Sequence, residues 1–242
     1  MKYIIIIFLS FLLYNCSFKK NCIYQNTIYD KYIFAINKIK NKKYKDSIKI
    51  LKKLEKKNQF GIYTEKIRIS LINSYYLSSN YYLAKKLIEK FIKNNPFHKK
   101  SDYLIYLHGL INISINNNKL KKIFRINQFE HNNKYIKEAL CDFNKIINNY
   151  PKSKYILSSI KRSIILKHKL AQHELKIIKY YINCNAYKAV IYRTKNMINN
   201  FPYTKETYKA LFYMKKSYKK LKNFNKEKNI KNMIKKYYKY FY

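Results

Sequence analysis

Apolar residues along this chain recur at helical spacing, and the clearest run lies between Asn80 and Pro96, NYYLAKKLIEKFIKNNP. Ala84, Leu87, Ile88, Phe91 and Ile92 fall at i, i+3, i+4, i+7 and i+8, which lays one greasy stripe along an α-helix and turns the lysines away from it. Asn80 stands where a helix N-cap belongs, and Pro96 ends the run because it lacks an N–H and pushes its predecessor out of helical geometry.

The pattern repeats as a small residue, apolar residues four and seven positions on, and a stop twelve on. The copies are Ser47, Leu51, Leu54 and Gln59; Ala84, Ile88, Phe91 and Pro96; Ala139, Phe143, Ile146 and Pro151; and Val190, Thr194, Met197 and Pro202. A weaker fifth reads Lys226, Ile230, Met233 and Tyr238. Such copies are the second helix of a tetratricopeptide repeat. The first helix of each hairpin is less regular. Ala35 and Ser47, twelve apart, give the first hairpin a small residue on each helix where the two approach, and Ala84, Ala139 and Val190 hold the small position in later copies. Ile67, Leu71, Ile72, Tyr75 and Tyr76 form an inward stripe over Thr64–Ser78, and Ile160, Ile164, Leu170 and Ile177 keep a helical stripe that reads as one long helix. The small positions lie 37, 55, 51 and 36 apart, so the middle repeats are lengthened, the extra residues falling in 116–134 and 152–181. The first insertion is asparagine-rich and reads as a loop around a short helix, Leu120–Phe124. The prediction is an all-α tetratricopeptide-repeat solenoid of about five hairpins over residues 29–242, with repeats near 29–60, 61–97, 101–152, 153–203 and 204–240. Of the two glycines, Gly61 suits a helix C-terminal turn and Gly109 a close helix contact.

Residues 1–15 have another character. Lys2 precedes an uninterrupted apolar or small run from Tyr3 to Tyr14, too short to span a bilayer, which needs roughly 20 residues, and laid out as a secretory signal peptide. Leu13 stands three residues before Cys16, in LYNCS. This is similar to a bacterial lipobox, which implies acylation of Cys16 and a lipid anchor. Ser17, in place of aspartate, implies the outer membrane. Residues 16–28 are polar and aperiodic and form the tether.

Charge adds less than its size suggests. The formal net charge is +41, but only four of the 53 basic residues are arginines, the side chain best suited to bidentate phosphate and base recognition. Lysine, asparagine, isoleucine and tyrosine dominate while glycine, alanine and proline are scarce, the imprint of AT-rich coding. Lysines spread through every repeat read as a solvated surface, and no nucleic-acid partner is expected. Cys16, Cys22, Cys141 and Cys184 show no metal spacing, and His168 and His173, five apart, cannot share a helix face as ligands. No catalytic fingerprint is present, so neither catalytic residues, metal nor cofactor is expected beyond the covalent lipid. Aromatic residues off the stripes, Tyr63, Phe97 and Tyr103, suit a peptide-binding groove.

The ordered matches FGIY, INSYY, AKKLIEKFIKNNPFH, DYLIYLHGL, DFNKIINNYPKSKY, KHKLAQHEL and YYINCNAYKAVIYRTKNMINNFP make the chain resemble the BamD family of tetratricopeptide lipoproteins from the outer-membrane β-barrel assembly machine. The matches include the irregular spacings. Gln59 departs from the family's proline, and Asn127–Asn133 lacks the aspartate, arginine and proline its relatives place there. The resemblance implies a non-enzymatic scaffold, lipid-anchored on the periplasmic side of the outer membrane. Its C-terminal repeats would bind the periplasmic domain of BamA, with Arg193 matching a family arginine near that surface. Its N-terminal repeats would receive unfolded outer-membrane proteins or other Bam lipoproteins. The alternatives are another periplasmic repeat lipoprotein scaffold and a basic helical-repeat nucleic-acid binder.

Overall fold

A computed structural model describes residues 27–58, 61–117 and 133–241. The signal peptide, Cys16, most of the tether, Gln59, the Leu120–Phe124 helix and nearly all of Asn127–Asn133 lie outside the described residues. Within them the chain is all-α. The helices are α1 Ile28–Lys40, α2 Tyr44–Lys57, α3 Thr64–Leu77, α4 Tyr81–Asn94, α5 Ser101–Asn116, α6 Lys134–Asn149, α7 Ile156–Asn183, α8 Tyr187–Asn200, α9 Lys205–Lys220 and α10 Phe224–Phe241. They fall in two compact units, residues 1–78 with α1–α3 and residues 79–242 with α4–α10.

One turn is used again and again. After α1, α7 and α9 the chain passes through a left-handed residue, Lys42 at φ 58°, Asn185 at φ 56° and Lys222 at φ 56°. The amide of that residue and the next turn back onto the last helical carbonyls: Lys42 N to Ile39 O at 2.9 Å and Lys43 N to Lys38 O at 2.8 Å, with the same pair at Asn185–Ala186 and Lys222–Asn223. This is the Schellman geometry that glycine normally serves. Ser79, at φ 61°, takes the same conformation before α4. The second helix of each hairpin ends differently. Asn58, Asn95, Tyr150 and Phe201 all cap at φ between −128° and −137° and ψ between 50° and 66°. Each donates its N–H to the carbonyl of the apolar residue seven positions into the motif, Leu54, Phe91, Ile146 and Met197. Pro96, Pro151 and Pro202 follow three of these caps. Asn58, followed by Gln59, adopts the same geometry, so the proline reinforces a stop that packing already sets.

In the first unit α2 packs on both α1 and α3. Ala35, Leu51, Ile67 and Ile72 are fully buried. Ser47, at the small position, is also buried, and its hydroxyl lies 3.2 Å from that of Ser74, which donates to the Ser70 carbonyl at 2.9 Å.

In the second unit, consecutive helices from α4 to α10 pack on one another, and α7 also packs on α9, so the first helix of one hairpin meets the first of the next. Among the described residues its core includes three patches. Ile105, Ile136, Ala139, Phe143, Ile146, Leu166 and Leu170 form the first. Ala171, Leu175, Ile178, Val190, Met197 and Ala210 form the second, and Leu211, Met214, Tyr218 and Ile230 the third. Ala84 is fully buried on α4. Gly109 owes its place to space: a Cβ there would sit 2.8 Å from Phe143 Cζ.

Two expectations change. Gly61 has no positive φ, so its role is not a left-handed turn; a Cβ there would fall 1.9 Å from Asn58 Oδ1, and the Asn58 side chain would have to move aside for it. Asn80 occupies the N-cap of α4 at φ −82° and ψ 60° but makes no capping bond through its side chain. Thr27 and Thr204 do cap, accepting from Asp30 N at 3.1 Å and Thr207 N at 3.2 Å. The long helix is present, and the N-terminal part of its apolar stripe faces outward. Ile160 and Ile164 are exposed, and the buried residues are Ser159, Ser163, Leu166 and Leu170. The alternation of isoleucine and serine hid this, because small serines let α6 come close while the isoleucines stay outside.

Candidate partner-binding surfaces

The two residues singled out for partner binding lie in separate units, Tyr63 in the first and Arg193 in the second. Tyr63 caps the start of α3 and is half-buried among other rings, 5.8 Å from Tyr29 and 6.4 Å from Tyr32 between centroids. Lys66 Nζ lies 5.4 Å from its ring. The cluster presents stacked phenol faces with a cation beside them, suited to aromatic or aliphatic side chains of an extended peptide. Tyr103 is committed elsewhere, packed 5.9 Å from Tyr155, whereas Phe97 is exposed at the α4–α5 turn.

Arg193 projects from α8 into a groove of about 730 Å³ between α6 and α8, floored by α7. Its Nη1 donates to Glu174 Oε2 at 2.8 Å, and the guanidinium lies 5.5 Å from the Tyr181 ring. Burial works against its charge, but the bond to Glu174 and that carboxylate's field outweigh it, so the pKa rises and the guanidinium stays charged. Held on both sides, Arg193 is aimed and already half-neutralised. The groove's remaining cations, Lys137 and Lys167, together with Asn144, Asn196 and Asn199, supply further polar contacts over an apolar floor of Leu140, Leu170 and Met197. Cys141 lines the same groove and, like Cys184, is a free, exposed thiol.

One polar cluster escaped the sequence reading. His108 of α5 makes a 2.7 Å contact through Nδ1 to Asp142 Oδ2 of α6 and a 3.4 Å contact through Nε2 to Glu89 Oε1 of α4. The fully buried Asn112 donates to Asp142 Oδ2 at 3.2 Å and accepts from Lys85 Nζ at 2.9 Å; Lys85 also pairs with Glu138. Burial of the imidazole opposes its charged form, yet the Asp142 hydrogen bond and charge dominate and its pKa is raised. These residues come from three helices and share no sequence spacing, so only the fold assembles them. They join helices, and Glu89, His108 and Asp142 also line a cavity of about 300 Å³ together with Ile88, Ile92 and Ile105. Among the described residues, no cluster of His, Cys, Asp or Glu is arranged to hold a metal ion. No described helix is long and apolar enough to cross a membrane.

The family model described as YfiO, outer membrane lipoprotein, matches residues 24–233. The chain belongs to that family. Among YfiO-family relatives, it is 36% identical over 220 residues to the outer membrane protein assembly factor BamD of Buchnera aphidicola subsp. Acyrthosiphon pisum, covering 90% of this chain and 88% of that one. It is 30% identical to the protein of the same name from Vibrio cholerae, over 72% of this chain and 73% of the relative. The Haemophilus influenzae protein of that name is 26% identical over 87% of this chain and 80% of its own length. Among solved structures, a Podosopora anserina putative kinesin light chain with TPR-like repeats is similar at a TM-score of 0.40 and 8% identity.

Proposed function

We propose that this YfiO-family chain is a non-enzymatic scaffold of outer-membrane protein assembly, anchored to the periplasmic side of the outer membrane by acyl chains on Cys16. The observation that carries the reading is the family match across residues 24–233, joined to relatives named as outer membrane protein assembly factors over most of their length. In this reading the C-terminal repeats bind BamA, with Arg193 at the contact, and the N-terminal unit uses the Tyr29–Tyr32–Tyr63 cluster to receive unfolded β-barrel segments or an accessory Bam lipoprotein. Ala35, Ser47, Ala84, Ala139 and Val190 serve by letting helices approach. Pro96, Pro151 and Pro202 serve by reinforcing helix ends.

Support for the Arg193 assignment is its fixed presentation by Glu174 and Tyr181 at the edge of an open groove. Co-purification with BamA from membranes tests it. Arg193→Glu is expected to weaken recovery of BamA, and removal of α9 and α10 to abolish it; full recovery with both changes overturns the BamA assignment. Labelling with radioactive palmitate tests the anchor independently. Label that persists in a Cys16→Ser chain, or its absence from the natural chain, overturns it.

A further inference from the structure

Helix α7 has 28 residues against 14 in α8 and 16 in α9, and the excess leaves part of one side bare. The start of α9 meets α7 at its middle: His168 Nδ1 lies 3.0 Å from Glu206 Oε2, and Gln172 Nε2 donates to Glu206 Oε1 at 3.4 Å. At 3.6 residues per turn, positions 157, 161, 164, 165 and 168 lie on one side of a helix, with 160 at its margin. Helix α9 therefore covers this side from His168 onward. No described helix covers the three turns before it. They carry Leu157, Ile160, Ile164 and Ile165, which are 74%, 38%, 53% and 64% exposed.

The opposite side of the same turns is tied down. Ser159 and Ser163 are buried, Ser163 Oγ donates to Asn144 Oδ1 at 3.2 Å, and Arg162 Nε donates to the Tyr106 hydroxyl at 3.2 Å. The aliphatic stripe is thus displayed on a fixed support, and grouped aliphatics of this kind mark a contact surface more than a solvated one does. Its shape selects the partner. Helix α9 stands roughly 8–10 Å off the α7 axis on this side. The uncovered side of about twelve residues makes a step of roughly 18 Å beside it, one helix wide. A flat bilayer meets the end of α9 before it reaches Ile164, whereas a helix of three turns fits, stacked on α7 as α9 is. Its charge follows as well. Lys161 lies on this side of the bare turns, and Glu206, the carboxylate at their α9 end, is already bonded to His168 and Gln172.

We infer that this step on α7 is a docking site for a short amphipathic helix of a partner protein, aliphatic on one face and flanked by carboxylates. The assignment is independent of where BamA binds.

The probe is a fluorescent synthetic 15-residue helix with leucines on one face and glutamates elsewhere, titrated into the full chain and followed by anisotropy. Saturable binding is expected, weakened roughly tenfold by Ile164→Ser with Ile165→Ser and about fivefold by Lys161→Glu, with far-UV circular dichroism unchanged. In an Ile164→Cys chain the probe should slow alkylation of the new thiol and leave Cys141 and Cys184 at their own rates, a readout that needs no destabilising change. The inference is overturned by equal binding of a scrambled peptide, by equal binding to the double serine variant, or by unaltered alkylation at position 164. It is equally overturned if the stripe instead governs association with phosphatidylglycerol vesicles, or self-association of the chain.

Discussion

The left-handed turn residues show how far this chain has been pushed from the amino acids its backbone favours. Lys42, Ser79 and Lys222 occupy φ near 60°, where a Cβ costs roughly 1 kcal/mol relative to glycine. Asn185, at the equivalent turn, is better suited because its short polar side chain tolerates the conformation. Replacing Lys42 and Lys222 by glycine should stabilise the protein by roughly 0.5–1 kcal/mol each, after the greater freedom of glycine in the unfolded chain is subtracted. Asn185→Gly should gain less. Urea unfolding midpoints check this, and an unchanged or lower midpoint for the lysine variants would contradict the strain argument. A second residue-scale cost sits at Thr194. It is fully buried at the motif position filled elsewhere by Leu51, Ile88 and Phe143, and its hydroxyl has no hydrogen-bond partner. Thr194→Val should therefore add about 1 kcal/mol, measured by the same titration; a loss would show that the hydroxyl is satisfied.

At the level of elements, the α4–α5–α6 contact combines apolar packing with a charged cluster. Glu89 and Lys85 face His108 from α4 and Asp142 faces it from α6, while Glu138 of α6 pairs with Lys85. Because the folded pKa of His108 is raised above the ordinary value, the protonated imidazole is favoured by folding. Its contribution is fully present below the unfolded pKa, about 6.5, and is lost as pH rises through the higher folded value. Thermal unfolding temperature should accordingly fall between mildly acidic and mildly alkaline pH, and His108→Gln should flatten that slope. A stability that rises over the same range in the natural chain but not in the variant would reverse the assignment.

The whole molecule carries a net charge of +41, and most of its described carboxylates are already engaged. Glu55 pairs with Arg68, Glu89 and Glu138 with Lys85, Asp142 with His108, Glu174 with Arg193 and Glu206 with His168. Lysines therefore repel one another across the surface, and salt screens that repulsion. Raising sodium chloride from about 0.02 M to about 0.5 M should increase the unfolding temperature by several degrees, since the Debye length falls several-fold over that range. A decrease would mean that the ion pairs outweigh the repulsion.

The repeated helix at Ala84–Pro96 was legible because its chemistry is local: a buried stripe every 3.6 residues and a stop at a fixed distance leave their imprint whatever codon bias does to the exposed positions. The same holds for the helical class and for the irregular repeat spacing that points to the family. The αL turns were invisible since lysine and serine stand where glycine would have marked them. The core face of α7 was not legible for a related reason: two faces carry apolar or small residues, and only the arrival of α6 on one and α9 on part of the other decides which is core. The His108 cluster and the grip of Glu174 and Tyr181 on Arg193 join residues separated by 12 to 53 positions on different helices. Such contacts carry no periodic signal. Sequence alone therefore determined where helices run and which repeat they build, and tertiary packing determined which charges meet and which apolar face is left for another molecule.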